Sequence, residues 1–583
     1  MNDLKQLFHH LGPYKKDFFI GAILVIIETC FELIIPLLMA DIIDIGVVNH
    51  DTHVIFVRGI EMGVCALLSL ITGLLYARFA ARASYGFGAR VREAEYAKIQ
   101  TYAFSNLDRF DTSSLVTRMT TDITVVQNAI NAGIRPMVRG PVMLILGIGL
   151  SVWMSAELSL VFFACAPILA VTLVLIVRRV APMYTRLQRA VDRLNGVVQE
   201  GLTAIRAIKA FVRGEYEEEK FQTVNEELRQ TSQKTFHYAV LNLPAFQIVM
   251  YTAVVLIMWF GGNMIINSSL QVGDLTGFLS YVLQVMNSLM MISNVFLLLT
   301  RSLASAKRIN EVLTEEPEIV SPAGAFADIS NGSIDFDNVS FKYNREAEEY
   351  ALSNVNLHIR SGQTVGILGG TGSAKTTLVQ LIPRLYDATD GVVKVGGRDV
   401  REYDLAALRD AVGIVLQKNV LFSGTIRDNL RWGNRDASDE ELWRACQIAC
   451  ADEFIERMPK GLDTDLGQGG VNVSGGQKQR LCIARTLLKN PKILIFDDST
   501  SAVDTATEGK IRTALSALPD MTKIIIAQRI TSVMDTDMIV ILEDGQINAV
   551  GTHEELLRTN PIYQEIYASQ VKGGDSDGTS AER

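Results

Sequence analysis

A glycine-rich segment, GILGGTGSAKTTL between Gly366 and Leu378, has the residue types and spacing of a phosphate-binding loop. The apolar run 364–368 predicts a buried strand, and 369–376 predicts a loop that enters a helix. Glycines let backbone N–H groups turn towards phosphate oxygens, and the positive end of the helix dipole adds to the attraction. Lys375 would then reach the β- and γ-phosphates, and the Thr376 hydroxyl would bind Mg²⁺.

This loop departs from the usual pattern at one position. The pattern G-x-x-x-x-G-K-[ST] has its second glycine where this chain has Ala374. A methyl group there would lie close to the phosphates and would alter nucleotide affinity or geometry. The alternative interpretation is a glycine-rich turn that binds nothing, and the segments that follow decide against it.

Four further segments carry side chains suited to a nucleotide and a metal ion. Tyr343 in VSFKYN could stack on adenine, although it could equally be an ordinary strand residue. Gln417 follows a predicted strand, where its amide could contact Mg²⁺ and the attacking water. NVSGGQKQR offers the Ser474 hydroxyl and two glycine amides at a helix start, which is a second anion site. KILIFDD is an apolar strand that ends in carboxylates, and Asp497 would hold Mg²⁺ through water.

In this order, the segments make the chain resemble the ATP-binding cassette (ABC) exporters. The resemblance is carried by GGTGSAKTT, Gln417, VSGGQ (473–477, the signature segment), ILIFDD and SAVD (501–504), together with six apolar segments upstream. It covers essentially the whole chain and implies ATP and Mg²⁺ as ligands. It also implies that two chains pair, and that each ATP lies between the P-loop of one chain and the signature segment of the other.

The resemblance also assigns individual site residues. Those expected to bind ATP are Tyr343, Gly369, Thr371, Gly372, Ser373, Ala374, Lys375, Thr376, Thr377, Gln417, Ser474, Gly475, Gly476, Gln477 and Asp504. Those expected to bind Mg²⁺ are Thr376, Gln417 and Asp497. The catalytic positions are those of Asp498 and Gln528.

Both catalytic positions differ from the family pattern. Asp498 replaces the glutamate that polarises the attacking water, and a carboxylate displaced by about 1 Å can cost about a hundredfold in rate. Gln528 replaces a histidine, and glutamine hydrogen-bonds phosphate but carries no positive charge. Because both changes fall in one ATP site, we interpret them as natural degeneracy rather than engineered inactivation.

This degeneracy predicts a heterodimer. The chain's own P-loop site should bind ATP and turn it over poorly, while its intact signature segment completes a competent site with a different partner chain. The predicted activity is ATP-driven export of hydrophobic or amphipathic compounds such as drugs. Lipid or peptide export and a regulatory or ATP-gated subunit remain alternatives. An importer is disfavoured because importers usually carry their membrane and ATPase parts on separate chains.

Composition and hydropathy indicate a membrane protein. The 583 residues are 48% apolar, and the mean hydropathy is +0.21. The net charge of −9 argues against nucleic acid as the main partner. Segments long enough to cross a bilayer lie near 17–40, 56–80, 133–155, 158–180, 240–263 and 273–300.

The distribution of basic residues predicts the orientation. The two long stretches that follow the second and fourth apolar segments are rich in Arg and Lys, whereas 41–55, 155–158 and 263–273 contain neither. The positive-inside rule then places both termini and the ATPase domain in the cytosol, with the chain in a bacterial inner or cell membrane. Residues 1–15 predict an amphipathic helix lying on that membrane.

The predicted architecture is multi-domain. We expect an all-α transmembrane domain of six helices (type I exporter fold) fused to an α/β P-loop ATPase domain with a helical subdomain. The predicted boundaries are 1–300 for the transmembrane domain with its long cytosolic helical loops, 301–332 for a linker, 333–572 for the nucleotide-binding domain and 573–583 for a disordered tail.

Glu28 and Glu32 lie one helical turn apart in the first apolar segment. Intramembrane carboxylates usually face a cavity or a partner, so this pair could attract cationic, amphipathic substrates or latch an outer gate. Alternatively it pairs with polar groups of another helix, such as Asn287, Asn294 or Arg78. Adaptable methionines on the last span could line a cavity or simply pack between helices. The candidate cavity residues are Glu28, Glu32, Met286, Asn287 and Met290.

Overall fold

The computed structural model describes residues 6–498, 503–518 and 520–572, and the chain divides into two compact units. The helical unit comprises Met1–Gln100 and Thr112–Glu315. The α/β unit comprises Thr101–Asp111 and Glu316–Arg583. The short segment Thr101–Asp111, which interrupts the helical unit in the sequence, therefore belongs to the α/β unit. The predicted tail, 573–583, lies outside the described residues.

The helical unit is built from long helices. They are α1 (Lys15–Asp41), α2 (Thr52–Gln100), α3 (Ile123–Met154), α4 (Ala156–Thr203), α5 (Gly214–Val240), α6 (Asn242–Ile266) and α7 (Val272–Thr314). Shorter helical segments are Phe8–Tyr14, Ile42–Val47, Thr112–Thr117, Arg118–Asp122 and Ile205–Ala210. Within the described chain, the stretches long and apolar enough to cross a membrane are Phe8–Val47, Thr52–Gln100, Thr112–Met154, Ala156–Thr203, Gly214–Ile266 and Val272–Ile292. The six predicted spans are thereby confirmed.

The ends of the helical unit differ from expectation. Leu7 and Leu11 are each 1% exposed and pack in the core of this unit, so the apolar side of the helix predicted over 1–15 is covered by protein where it is described. Its position on the membrane stays a prediction. Residues 1–5 lie outside the described part. Helix α7 continues to Thr314, into the predicted linker, because Ala306, Ile309 and Val312 form a buried apolar stripe at helical spacing.

The α/β unit contains two sheets. Its strands are β1 (Ile334–Phe341), β2 (Leu352–Ile359), β3 (Thr364–Leu368), β4 (Asp390–Val395), β5 (Arg398–Asp399), β6 (Val412–Val415), β7 (Ile493–Asp497), β8 (Thr522–Ile526), β9 (Met538–Glu543) and β10 (Gln546–Gly551). One sheet has the order β2-β1-β4-β5 and the other β10-β9-β3-β8-β7-β6. Strands β3, β6, β7, β8 and β9 of the larger sheet run parallel. Their carboxyl ends therefore meet at one edge, where ligands bind in such sheets.

Helices cover these sheets and form a second apolar core beside them. They are α8 (Lys375–Gln380), α9 (Leu405–Ala411), α10 (Ile426–Leu430), α11 (Asp439–Ile448), α12 (Asp452–Ile455), α13 (Gly475–Leu488), α14 (Thr505–Ser516), α15 (His553–Thr559) and α16 (Pro561–Tyr567). Buried residues of α10 to α13 share one apolar cluster, which is the predicted helical subdomain. The short helix Phe104–Asp108 also belongs to this unit.

Candidate nucleotide-binding site

A cleft of about 620 Å³ lies where β3, β6, β7 and β8 end. It is lined by predicted site residues, namely Tyr343, Thr371, Gly372, Ser373, Ala374, Lys375, Thr376, Thr377, Gln417, Asp497, Asp498 and Gln528. Sequence reasoning missed further lining residues, including Glu349, Tyr350, Asp544 and Gly545. The only sequence signal among them is the Asp-Gly pair, which is typical of a turn.

The loop between β3 and α8 depends on backbone conformations that favour glycine. A Cβ atom at Gly369 would come within 2.2 Å of the Leu542 carbonyl oxygen, so no other residue fits there. Gly372 has φ +85°, in the left-handed region. Ala374 is also left-handed, with φ +66° and ψ +25°, which costs an L-residue about 1 kcal/mol. The geometry gives a physical reason for the glycine of the family pattern at this position.

The Lys375 side chain folds back onto the loop that precedes it. Its Nζ donates to the carbonyl oxygens of Gly369 (3.0 Å) and Gly370 (2.6 Å) and to Ser373 Oγ (3.2 Å). Burial lowers the pKa of the Lys375 ammonium group, and the nearby carboxylates of Asp498 and Asp497 oppose that shift. A phosphate in the loop would compensate this partly buried positive charge.

Thr376 and Asp497 form the predicted metal pair. Thr376 Oγ1 donates to Asp497 Oδ1 at 2.8 Å. Asp497 is 2% exposed, and burial raises the pKa of its carboxyl group. Within the described residues no cluster of three His, Cys, Asp or Glu side chains could hold a metal. A hydroxyl and one carboxylate instead fit Mg²⁺, which commonly shares its remaining coordination with water and phosphate.

Asp498 and Gln528 contact each other directly. Gln528 Nε2 donates to Asp498 Oδ2 at 2.7 Å, and Gln417 also hydrogen-bonds the Asp498 carboxylate. Asp498 adopts φ +47°, a conformation that aspartate tolerates better than longer side chains. Burial raises the pKa of its carboxyl group, and the hydrogen bond from Gln528 is the largest opposing effect.

Tyr343 lies at one side of the cleft beside other aromatic rings. Its hydroxyl lies 2.9 Å from Thr377 Oγ1, and its ring meets that of Tyr386 edge-on, with centroids 5.2 Å apart. The Tyr386 hydroxyl in turn donates to Asp108 Oδ2 at 2.7 Å. Burial and this carboxylate raise the pKa of the Tyr386 hydroxyl. The segment Thr101–Asp111 is thus held against the side of the cleft that carries the predicted adenine platform.

Comparison with known protein families agrees with this arrangement. Residues 18–289 match the family described as ABC transporter transmembrane region, and residues 352–501 match the family described as ABC transporter. The chain belongs to the ABC transporter family. It is an integral membrane protein whose C-terminal unit is an ATP-binding ATPase domain.

Several bacterial proteins resemble this transporter along almost its whole length. An uncharacterized ABC transporter ATP-binding protein of Bacillus subtilis (strain 168), YfiB, is 38% identical over 97% of this chain and 98% of its own length. An ATP-dependent lipid A-core flippase of Desulfotalea psychrophila is 32% identical over 97% and 99%. A putative multidrug export ATP-binding/permease protein of B. subtilis, YgaD, is 30% identical over 98% and 100%.

A solved structure establishes the fold. A bacterial Atm1-family ABC exporter with ATP bound superposes with a TM-score of 0.79 over 95% of this transporter and 98% of that chain, at 24% identity. The predicted type I exporter fold, with its α/β ATPase domain, is confirmed.

The signature segment of the transporter does not line the cleft. Ser474 caps helix α13: its Oγ accepts from Gln477 N–H (3.4 Å), and Gln477 Oε1 accepts from Ser474 N–H (2.9 Å). Asp504 caps α14 through Thr507 N–H and also lies outside the cleft lining. Contacts of Ser474, Gly475, Gly476, Gln477 and Asp504 with nucleotide therefore stay predictions. The neighbouring residues 499–502 lie outside the described part of the chain.

The transporter's intramembrane carboxylates carry ion pairs. Glu28 pairs with Arg135, and Glu32 pairs with Arg139. Both arginines lie on α3. They take the place of Asn287, Asn294 and Arg78, which the sequence suggested as partners, so that expectation is corrected. Nothing is described of the Asn294 side chain. Glu28 is 3% exposed and Glu32 is half-buried. Carboxylates paired in this way are neutralised within the helical unit and do not by themselves attract a cation.

The methionines of α7 differ in their surroundings. Met286 is 0% exposed and belongs to the apolar core shared by α4, α6 and α7, so it lines no cavity here and that assignment is corrected. Met290 is half-buried against the same core, and Asn287 is exposed. Near the start of α7, Asp44 accepts hydrogen bonds from Gly273 and Asp274 N–H and thereby caps the helix.

Proposed function

We propose that this transporter is one half of a heterodimeric exporter whose own P-loop site binds Mg·ATP and hydrolyses it slowly. The observation that carries the proposal is the contact between Asp498 and Gln528. One oxygen of the carboxylate is occupied by an uncharged amide, at the position where the family pattern has glutamate beside histidine. A short carboxylate held in this way is poorly placed to take up a proton from water.

The other parts of the cleft support nucleotide binding. The P-loop with Lys375 would hold the phosphates, Thr376 and Asp497 would hold Mg²⁺ with Gln417, and Tyr343 would stack on adenine. Bound Mg²⁺ would neutralise phosphate charge during transfer. We therefore expect the presence of Asp498 and Gln528 to slow ATP hydrolysis more strongly than it weakens ATP binding.

The signature segment would serve the partner chain. Ser474 and the amides of Gly475 and Gly476 form the start of the 14-residue helix α13. A helix start of this kind attracts phosphate. In a head-to-tail pair it would complete the partner's ATP site, which we propose to be the competent one.

The proposed cargo is hydrophobic or amphipathic. Two relatives named above are a lipid A-core flippase and a putative multidrug exporter, so drugs and lipids are both candidates. Pairing of Glu28 and Glu32 with arginines removes the reason to favour cationic cargo. We place both termini and the ATPase unit in the cytosol, with the chain in a bacterial cell membrane.

The proposal is tested by purifying the tagged transporter with its partner and identifying the partner by mass spectrometry. The partner should carry glutamate and histidine at the positions of Asp498 and Gln528, together with an altered signature segment. Recovery of a homodimer that transports at full rate would contradict the proposal. Substrate flux that persists when hydrolysis is blocked would indicate an ATP-gated subunit instead.

A pair of variants separates the two sites in the purified heterodimer. Lys375→Ala should leave more ATPase activity than the same change in the partner's P-loop. Ser474→Ala should be the more damaging change in this chain. The matched control is Ser438→Ala, because Ser438 and Glu441 form the same capping arrangement at the start of α11. Equal losses from Ser474→Ala and Ser438→Ala would show that only helix capping is lost.

A further inference from the structure

A second recess lies in the helical unit, between the polar halves of α4 and α5. This groove of about 330 Å³ is lined among others by Arg186, Arg189 and Arg193 of α4, and by Glu227, Thr231 and Lys234 of α5. It contains four cationic side chains and one carboxylate. We refer to it as the basic groove.

Among the residues that the structure describes, one of the four cations of the groove has a charged partner. Arg193 forms an ion pair with Glu227 at 2.6 Å. Arg186, Arg189 and Lys234 form no ion pair or hydrogen bond with any described residue, whereas four other cations of this unit, Arg118, Arg135, Arg139 and Arg308, each pair with a carboxylate on another helix. All three side chains are exposed, so water screens much of their mutual repulsion, and their presence around one recess adds nothing to the stability of the fold. An anion bound between them would remove that repulsion.

One end of the groove lies just beyond the level of the membrane surface. Helix α4 has an uncharged apolar run from Leu158 to Val177, which spans about 30 Å, the thickness of a bilayer core. Arg186 follows about 13.5 Å beyond that run, and headgroups fill roughly the first 5–8 Å of this distance, so the long Arg186 side chain has to reach back towards them. On the membrane side of the groove, the rings of Tyr184 and Phe236 meet edge-on, with centroids 6.4 Å apart. Exposed aromatic rings are typical of the interface.

We propose that the basic groove binds the phosphate group of an anionic phospholipid in the cytosolic leaflet. The leaflet rests on the orientation given under the proposed function, whereas the site itself rests on the groove. Basic pockets between membrane helices on the cytoplasmic side are a common form of lipid-headgroup site. The volume suits a glycerophosphate headgroup, and the guanidinium groups of Arg186 and Arg189 suit phosphate oxygens. The acyl chains would extend past Tyr184 and Phe236 into the bilayer.

The test is native mass spectrometry of the purified full-length transporter in detergent, titrated with phosphatidylglycerol or phosphatidylcholine. The test variant is Arg186→Gln/Arg189→Gln/Lys234→Gln. The matched control, Arg206→Gln/Lys209→Gln/Arg213→Gln, removes the same charge from the same part of the chain outside the groove. Arg186→Lys/Arg189→Lys keeps both positive charges. If it still binds lipid, the weaker binding of the glutamine variant is due to the lost charge and not to changes at these positions in general. No nucleotide or transport is needed, so the result does not depend on the proposed export activity.

We expect wild type and control to bind phosphatidylglycerol in preference to phosphatidylcholine, and the test variant to bind it at least about tenfold more weakly. The lysine variant should retain most of the affinity. Equal affinity of wild type and test variant, or an equal loss in the control, would overturn the proposal. A competition experiment with glycerol 3-phosphate tests whether the site needs a lipid. If glycerol 3-phosphate displaces phosphatidylglycerol at equal concentration, the site binds a soluble anion and the lipid assignment is wrong.

Discussion

Two pairs of acidic side chains are held in opposite ways in the two units. In the helical unit, Glu28 and Glu32 each form an ion pair with an arginine of α3. In the α/β unit, Asp497 and Asp498 accept hydrogen bonds from Thr376 and Gln528, which carry no charge. The first pair is neutralised by basic side chains, whereas the two hydrogen bonds given for the second pair bring no compensating charge.

This difference distinguishes acids with a structural role, such as Glu28, from acids that we expect to bind a metal ion or nucleotide, such as Asp497. A buried ion pair is costly to break, because removing one partner leaves a charge without compensation. Burial of a carboxylate such as Asp497 disfavours its charged form, so the buried charge lowers stability unless a cation compensates it. Four substitutions test the comparison, from the largest expected effect to the smallest.

Glu28→Gln should destabilise the helical unit by about 2 kcal/mol, because Glu28 is buried while the Arg135 side chain that loses its partner is 41% exposed. The midpoint of thermal unfolding in detergent measures the loss. Glu28→Gln/Arg135→Gln should recover most of it. The matched control is Glu61→Gln in the exposed Arg58–Glu61 pair, which should cost less than about 1 kcal/mol. Equal losses at both sites would contradict the assignment of Glu28 as a structural acid.

Asp497→Asn should impair ligand binding rather than stability, the reverse of Glu28→Gln. It should weaken Mg²⁺-dependent ATP binding by roughly 10–100-fold while leaving thermal stability equal or higher. Burial raises the pKa of this carboxyl, so its ionisation lowers stability as pH rises above the ordinary carboxyl value. Any stability advantage of the variant should therefore be largest near pH 7 and shrink towards about pH 4. Unchanged ATP binding with lower stability would make Asp497 a structural acid.

Asp498→Glu with Gln528→His should raise turnover at this chain's own site about tenfold, and by more than either change alone. Vanadate trapping of labelled nucleotide, with the partner's site disabled, measures the gain. The left-handed backbone at Asp498 will oppose the longer side chain. Asp544→Glu controls for this strain, because Asp544 also lines the cleft and has φ +46°. Without a gain, the defect lies at Ala374 or in the partner's half of the site.

Ala374→Gly has the smallest expected effect. It should stabilise the α/β unit by about 1 kcal/mol, because glycine adopts the left-handed conformation without strain. Ala407→Gly, in the interior of α9, should lower stability by a similar amount. Thermal unfolding of both variants with and without ATP measures this difference. A loss at both positions would show that Ala374 is not strained.

The cleft could be predicted from sequence because its residues follow the ends of parallel strands. Lys375, Thr376 and Asp497 come together for that reason alone, since the motif fixes their place on the strand. The contact between Asp498 and Gln528 could not be predicted, because it depends on side-chain rotamers at two different strands. The link from Tyr343 through Tyr386 to Asp108 joins distant segments and follows from no local pattern.

The ion pairs of the helical unit were predictable in part. Glu28 with Glu32 and Arg135 with Arg139 share the same four-residue spacing, and the pairs join in register between α1 and α3. Hydropathy alone indicates that the helices exist, but the faces they turn to each other depend on packing. The buried leucines of the N-terminal segment were missed for the same reason: an amphipathic pattern fits a membrane surface as well as a protein core.

The assignment of Thr101–Asp111 to the α/β unit has a consequence for how the protein is made. Asn106 is 1% exposed, and its side chain bonds the Glu316 carbonyl and Glu318 N–H. Tyr386 follows its partner Asp108 by 278 residues. At 5–20 residues per second, the ribosome needs about 15–55 s to make that stretch. The segment therefore leaves the ribosome long before its partners exist, and Asn106 substitutions should reduce the yield of assembled transporter before they affect its ATP chemistry.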